Sequence, residues 1–155
     1  MNVKPSLPGG LLLLTFTLVM SCAHDPYQQR ADAIKDHVES FYSNLKSDRV
    51  ASAIRDNEQI EAMAGQMGQT IRTRLHQPAM NQVDREGALY KTASETAVEN
   101  WLSLARYLVI KKRHDQARAT YQRILETYNG PAYQAYADQA EVGLRDVNIV
   151  DPPKR

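Results

Sequence analysis

The sequence predicts an all-α protein built from helical hairpins, and three features carry that expectation. Between Ala23 and His76 the only prolines and glycines are Pro26, Gly65 and Gly68, so little in that stretch would break a helix. Apolar residues recur three and four positions apart, which is the spacing of one helix face and not of a strand. Helix breakers gather instead at Asp25-Pro26, Gln77-Pro78 and Asn129-Gly130-Pro131, where helices would begin or stop. The 155 residues are 43% hydrophobic and 24% charged, which suits one ordinary domain and excludes a large multidomain enzyme. With Lys+Arg at 19 against Asp+Glu at 18, the chain has no general electrostatic hold on nucleic acid.

The first element is a leader. After a weakly basic start and Pro8-Gly9-Gly10, residues Leu11 to Met20 carry no charge. A helix of that length rises only about 15 Å, about half the hydrocarbon thickness of a bilayer, so it fits a signal-peptide apolar region and not a span. Val19-Met20-Ser21-Cys22 resembles the lipobox of bacterial lipoproteins, in which an aliphatic residue, a tolerant position and a small residue precede a Cys. The resemblance implies cleavage between Ser21 and Cys22, a diacylglyceryl group on the Cys22 thiol, and acylation, as by palmitate, of the new amino terminus. Three acyl chains at about 0.8 kcal/mol per buried methylene would hold the protein to a membrane for good. Ala23, in place of the Asp that favours inner-membrane retention, implies an outer-membrane address facing the periplasm in a Gram-negative host. Cys22 is the only cysteine, so the mature chain would have no disulfide and no thiol nucleophile.

The first helix starts at Asp25, a cap, with Pro26 in the first helical position. Tyr27, Ala31, Ile34, Val38, Phe41 and Leu45 form its apolar stripe. Lys46-Ser47-Asp48-Arg49 interrupts the pattern and is read as a turn or kink. A second helix carries Ala53, Ile60, Ala64, Met67, Ile71 and Leu75. Gly65 and Gly68 make one side of it slim, a packing notch, and Met63, Met67 and Met80 read as adaptable filler. Gln77-Pro78 ends it and Ala79 to Asp84 is a linker. The third helix, resuming near Val83 to Gly87, passes through Ala93, Ala97, Trp101, Leu104, Ala105 and Leu108 and stops around Lys112-Arg113-His114. Asp115 is expected to cap a fourth helix with Ala117, Tyr121, Ile124 and Tyr128, which closes at Asn129-Gly130. The last helix runs from Pro131 to about Val147, with Tyr133, Tyr136, Ala137, Ala140 and Leu144 on one side.

Trp101-x-x-Leu104-Ala105-x-x-Leu108, followed by Ala117, Tyr121 and Ile124, resembles one tetratricopeptide repeat, and Tyr133-x-x-Tyr136-Ala137 resembles the opening of a second. Ala105 and Ala117 would let two antiparallel helices approach while the larger residues fill the flanks. Lys112 stands where a turn glycine is common in that family, and no upstream copy of the pattern is found. The organisation expected is a leader (1–21), an N-terminal helical region (22–82), a tetratricopeptide-like region (83–148) and a flexible tail (149–155). In that family the first helices line a concave binding surface, which implies Leu102, Arg106, Val109 and Arg113 as partner-binding residues for a segment with acidic and apolar groups.

No catalytic residue, metal site or cofactor is assigned. His24, His37, His76 and His114 have no paired spacing for metal, no phosphate-cradling glycine loop follows the leader, and Asp56, Glu58 and Glu61 read as a solvated face. Arg106, Lys111, Lys112, Arg113, Arg118 and Arg123 surround one acid, Asp115, whereas Asp138, Glu141, Asp146 and Asp151 surround one base, Arg145. The expected function is a lipid-anchored, non-catalytic adaptor or assembly factor with a protein partner in the envelope and none in nucleic acid. The alternative is a homo-oligomer, in which the stripe from Tyr27 to Leu45 forms a dimeric coiled coil.

Overall fold

The computed structural model describes residues 25–74 and 80–152, and among them it is all-α, as expected, with no strand. Five α-helices follow in order: α1 (Pro26–Lys46), α2 (Val50–Arg74), α3 (Met80–Ile110), α4 (His114–Thr127) and α5 (Gln134–Val150), with a short 3-10 turn at Pro131–Tyr133 before α5. The leader, Cys22, His24, His76 and the Gln77-Pro78 stop lie outside the described residues.

Local chemistry explains the boundaries. Asp25 accepts the Tyr27 amide at 3.0 Å and Pro26 starts α1 without a wasted donor. The stretch from Ser47 to Arg49 is a turn between two helices, not a kink in one. Its middle residue, Asp48, has φ 55°. Lys112 repeats this conformation at φ 58° between α3 and α4, in the left-handed region that favours glycine. Because that turn closes tightly, the chain re-enters helix at His114 with Arg113 at the cap position, two residues earlier than a cap at Asp115 would allow. Asp115 instead lies in the first turn of α4, where the helix dipole favours an anion. Helix α3 begins at Met80, so part of the expected linker is helical and the expected boundary at 82/83 falls inside a helix. Helix α5 runs to Val150, which removes residues 149 and 150 from the expected tail.

The two turns are one design used twice. The amides of Ser47, Asp48 and Arg49 donate to the carbonyls of Ser43, Leu45 and Asn44, and 64 positions on, those of Lys111, Lys112 and Arg113 donate to Tyr107, Val109 and Leu108. Buried positions follow the same offset: Ile34 with Val98, Phe41 with Ala105, Asn44 with Leu108, Ala53 with Ala117, Asn57 with Tyr121, Ile60 with Ile124, and Ala64 with Tyr128. The α3–α4 hairpin therefore does have an upstream counterpart, α1–α2. Only two of those seven pairs keep the residue type, which hides the repeat from letter matching.

The helices form two layers. Helices α1, α3 and α5 lie side by side in the same direction: Asp25 meets Arg85, Tyr42 meets Ser103, Glu99 meets Tyr136 and Arg106 meets Gln139. Helix α2 packs antiparallel on α1 and α3, and α4 on α3 and α5. One continuous core runs from Ile34 to Val147, with Phe41, Ile60, Leu104 and Ile124 fully buried. Within it Asn57 donates to the Ala97 carbonyl at 2.9 Å and accepts from Asn100 at 3.0 Å, so both buried amides are engaged. The stripe of α1 that could have made an intermolecular coiled coil is spent here: Ile34, Phe41 and Leu45 are buried inside the chain. Of the two glycines in α2, Gly68 is the notch, since a Cβ there would lie 3.1 Å from the Tyr90 ring, whereas Gly65 faces open space.

Candidate interaction site

Helices α3 and α5 meet through the first turns of α5, and residues of α4 line the cleft that lies between their C-terminal parts. Near the start of α5, Tyr136 donates to Glu99 at 3.1 Å, and Arg106 donates to Gln139 at 2.8 Å. Beyond that point a cleft of about 280 Å³ opens between the two helices. Val109 and Ile110 of α3 form one wall, Val147 and Val150 of α5 the other, and Tyr121 and His114 of α4 the floor. It continues into a shallower recess that shares Arg106, Tyr121, Gly143 and Asp146. Gly143 is required: a Cβ there would overlap the Tyr121 ring that floors the cleft. Burial raises the Tyr121 phenol above its usual value, with Arg106 opposing the shift and Asp146 adding to it. The buried Nδ1 of His114 has no hydrogen-bond partner among the described residues.

Of the four partner-binding residues expected from the repeat pattern, two belong to this cleft. Arg106 is exposed on its rim and Val109 is half-buried in its wall. Leu102 is only 3% exposed and packs in the core, so it cannot meet a partner; the stripe rolls inward there, a turn above the cleft. Arg113 is committed elsewhere. Its guanidinium lies 3.2 Å from Asp48, which also accepts the Tyr107 hydroxyl at 2.8 Å and lies 3.7 Å from the Lys111 ammonium. The Tyr107 hydrogen bond, with Arg113 and Lys111 beside it, holds the Asp48 carboxyl below its ordinary value against a smaller effect of desolvation. Asp48 thus closes the end of the α1–α3 pair, whereas its counterpart Lys112 leaves the α3–α5 pair open.

The basic run between Arg106 and Arg123 is largely paired inside the molecule and is not a free patch. Arg118 contacts Asp115, Asn148 and Asp151, and Arg123 reaches Glu61 at 2.6 Å and Glu58 at 3.8 Å. Glu61 corrects the reading of a solvated face most sharply. It accepts from the Trp101 indole at 2.8 Å, the Tyr128 hydroxyl at 2.7 Å and Arg123, which also lies over the Trp101 ring. Asp56 is likewise an acceptor, for Ser40 at 2.8 Å and Asn44 at 2.7 Å. Neither tie shows in residue spacing, but a buried Trp and Tyr each require a polar partner, which is the signal that could have found Glu61.

Among the described residues no three His, Cys, Asp or Glu side chains stand together as a metal site would need, and no helix is long and apolar enough to cross a membrane. No protein family, curated protein or solved structure matches this chain.

Proposed function

We propose that the chain is a lipoprotein anchored in the outer membrane, facing the periplasm, that works as a non-catalytic protein-protein adaptor or assembly factor in the cell envelope. The anchor rests on Val19-Met20-Ser21-Cys22 and the uncharged run before it. The adaptor role rests on the open α3–α5 cleft, which has aliphatic walls and one exposed cation, Arg106, on its rim. A partner segment that inserts a branched apolar side chain between Ile110 and Val150 and sets a carboxylate beside Arg106 fits this chemistry. Asp146 on the opposite rim repels that carboxylate and so favours one orientation. The alternation of the two layers supports kinship with tetratricopeptide hairpins, since α1, α3 and α5 stand where the first helices of such units would.

Two sets of variants test the two halves of this reading separately. Cys22→Ser should move the protein from the membrane to the soluble fraction. Arg106→Glu and Ile110→Asp should leave it on the membrane and weaken partner recovery by about tenfold or more, because the first turns the cation that meets the partner's carboxylate into an anion and the second puts a charge in the apolar wall. A partner set unchanged by the cleft variants would remove this cleft as the site.

A further inference from the structure

The two open ends of the layered stack differ in character. At the α1 end the outward residues Gln28, Asp32, Lys35, Asp36 and Glu39 are all polar and exposed, and Lys35 and Glu39 pair at 3.8 Å. Its one large exposed apolar side chain, Tyr42, reaches toward α3, with its hydroxyl 3.4 Å from Ser103. At the α5 end, Val142 is 50% exposed and Ile149 is 74% exposed. Helix α2 covers α1 and α4 covers α3, but no helix among the described residues covers the outer side of α5. Ala135, Val142 and Ile149 are all exposed and spaced seven apart, so they form a single seam along it. Asp138, Arg145 and Asp146 flank that seam.

We propose that a second copy of this chain covers the outer face of α5, with the two α5 helices antiparallel about a two-fold axis that passes between residues 145 and 146. This register puts Val142 against the partner's Ile149, and Arg145 against the partner's Asp146, each contact occurring twice. Head-to-tail stacking is the poorer solution, because it would lay Val142 and Ile149 on the charged outer face of α1 and would also extend without closing. The seam is therefore self-complementary in both shape class and charge. Helix α5 is only 17 residues, about 25 Å, so the buried area falls below that of a permanent dimer and association is in the micromolar range or weaker. The seam borders the recess beside the α3–α5 cleft, with which it shares Asp138, Val142 and Asp146, whereas the cleft walls Val109, Ile110 and Val147 lie off the seam.

Sedimentation equilibrium of the full chain, from about 1 μM to 1 mM, reads the association directly. Arg145→Asp and Asp146→Arg should each weaken the dimer about tenfold, because each brings like charges together at two places. The double variant, Arg145→Asp with Asp146→Arg, should return to within about threefold of the unaltered protein. Val142→Lys should abolish the dimer with an unchanged helical circular-dichroism spectrum, since the site is exposed. A chain that stays monomeric throughout, or a double variant that dissociates as readily as the singles, overturns the proposal. Either result would leave the cleft reading standing, and loss of partner recovery on Arg106→Glu would leave this one standing.

Discussion

Lys112 and Asp48 occupy equivalent left-handed turn positions for different reasons, and substitution separates them. The Lys112 side chain is exposed and forms no hydrogen bond or ion pair among the described residues, so the strain of φ 58° is uncompensated. Lys112→Gly should stabilise the protein by about 0.5–1 kcal/mol in urea denaturation, the gain from relieving a left-handed non-glycine less the entropy glycine adds to the unfolded chain. Asp48→Gly should destabilise instead, because it removes the acceptor for Tyr107, Arg113 and Lys111. Since the Asp48 carboxyl titrates below its ordinary value, its contribution is full above about pH 4 and is lost as pH falls through the folded-state value. The turn itself was legible in the sequence, because Lys46 to Arg49 broke the apolar period. That Asp48 serves as a hub was not, because its partners lie 59 or more positions away.

At the scale of elements, Glu61 joins α2 to α3 and α4 through three donors at once. Glu61→Ala leaves a buried indole, a phenol and part of a guanidinium without an acceptor, and should cost about 2–4 kcal/mol by chemical denaturation. Burial, and then the hydrogen bond to Glu61, push the Tyr128 phenol well above its ordinary value. The unfolded chain loses that proton near pH 10 while the folded chain keeps it, so stability falls as pH rises above about 10. Tyr128→Phe should flatten that alkaline loss, measured as the urea midpoint between pH 9 and 11. Periodicity gave the helices and their inward faces, because an amphipathic stripe is a local property. The Glu61 tie and the Asn57–Asn100 pair depend on residues about forty positions apart meeting, and no local pattern carries that information.

Across the whole molecule, α3 is shared by both hairpins, and this decides how the chain unfolds. The sequence suggests a region ending at 82 and another beginning at 83, but Ala93, Ala97 and Val98 are buried in the same core as Ala53, Ile60 and Met67. A fragment of residues 83–148 should therefore lack cooperative unfolding, because it exposes the side of α3 that α2 covers; a sharp thermal transition for that fragment would contradict a single shared core. The all-α class was plain from composition and spacing. The 64-residue repeat was not, because it survives in turn geometry and burial while the residue types have changed, as with Phe41 opposite Ala105 and Asn57 opposite Tyr121. The expected binding stripe divides for a related reason: Arg106 and Val109 line the cleft while Leu102 is buried, because spacing puts them on one side of a helix but only the packing of α5 decides where that side meets water. The most direct test of the adaptor reading is a photo-reactive residue at position 110, in protein expressed with its leader so that it is processed and anchored, and activated in native membranes. The account predicts a discrete crosslinked protein that disappears when Arg106→Glu is added, while the membrane association stays unchanged. An adduct that persists undiminished in the presence of Arg106→Glu, or no adduct from this position at all, would contradict it.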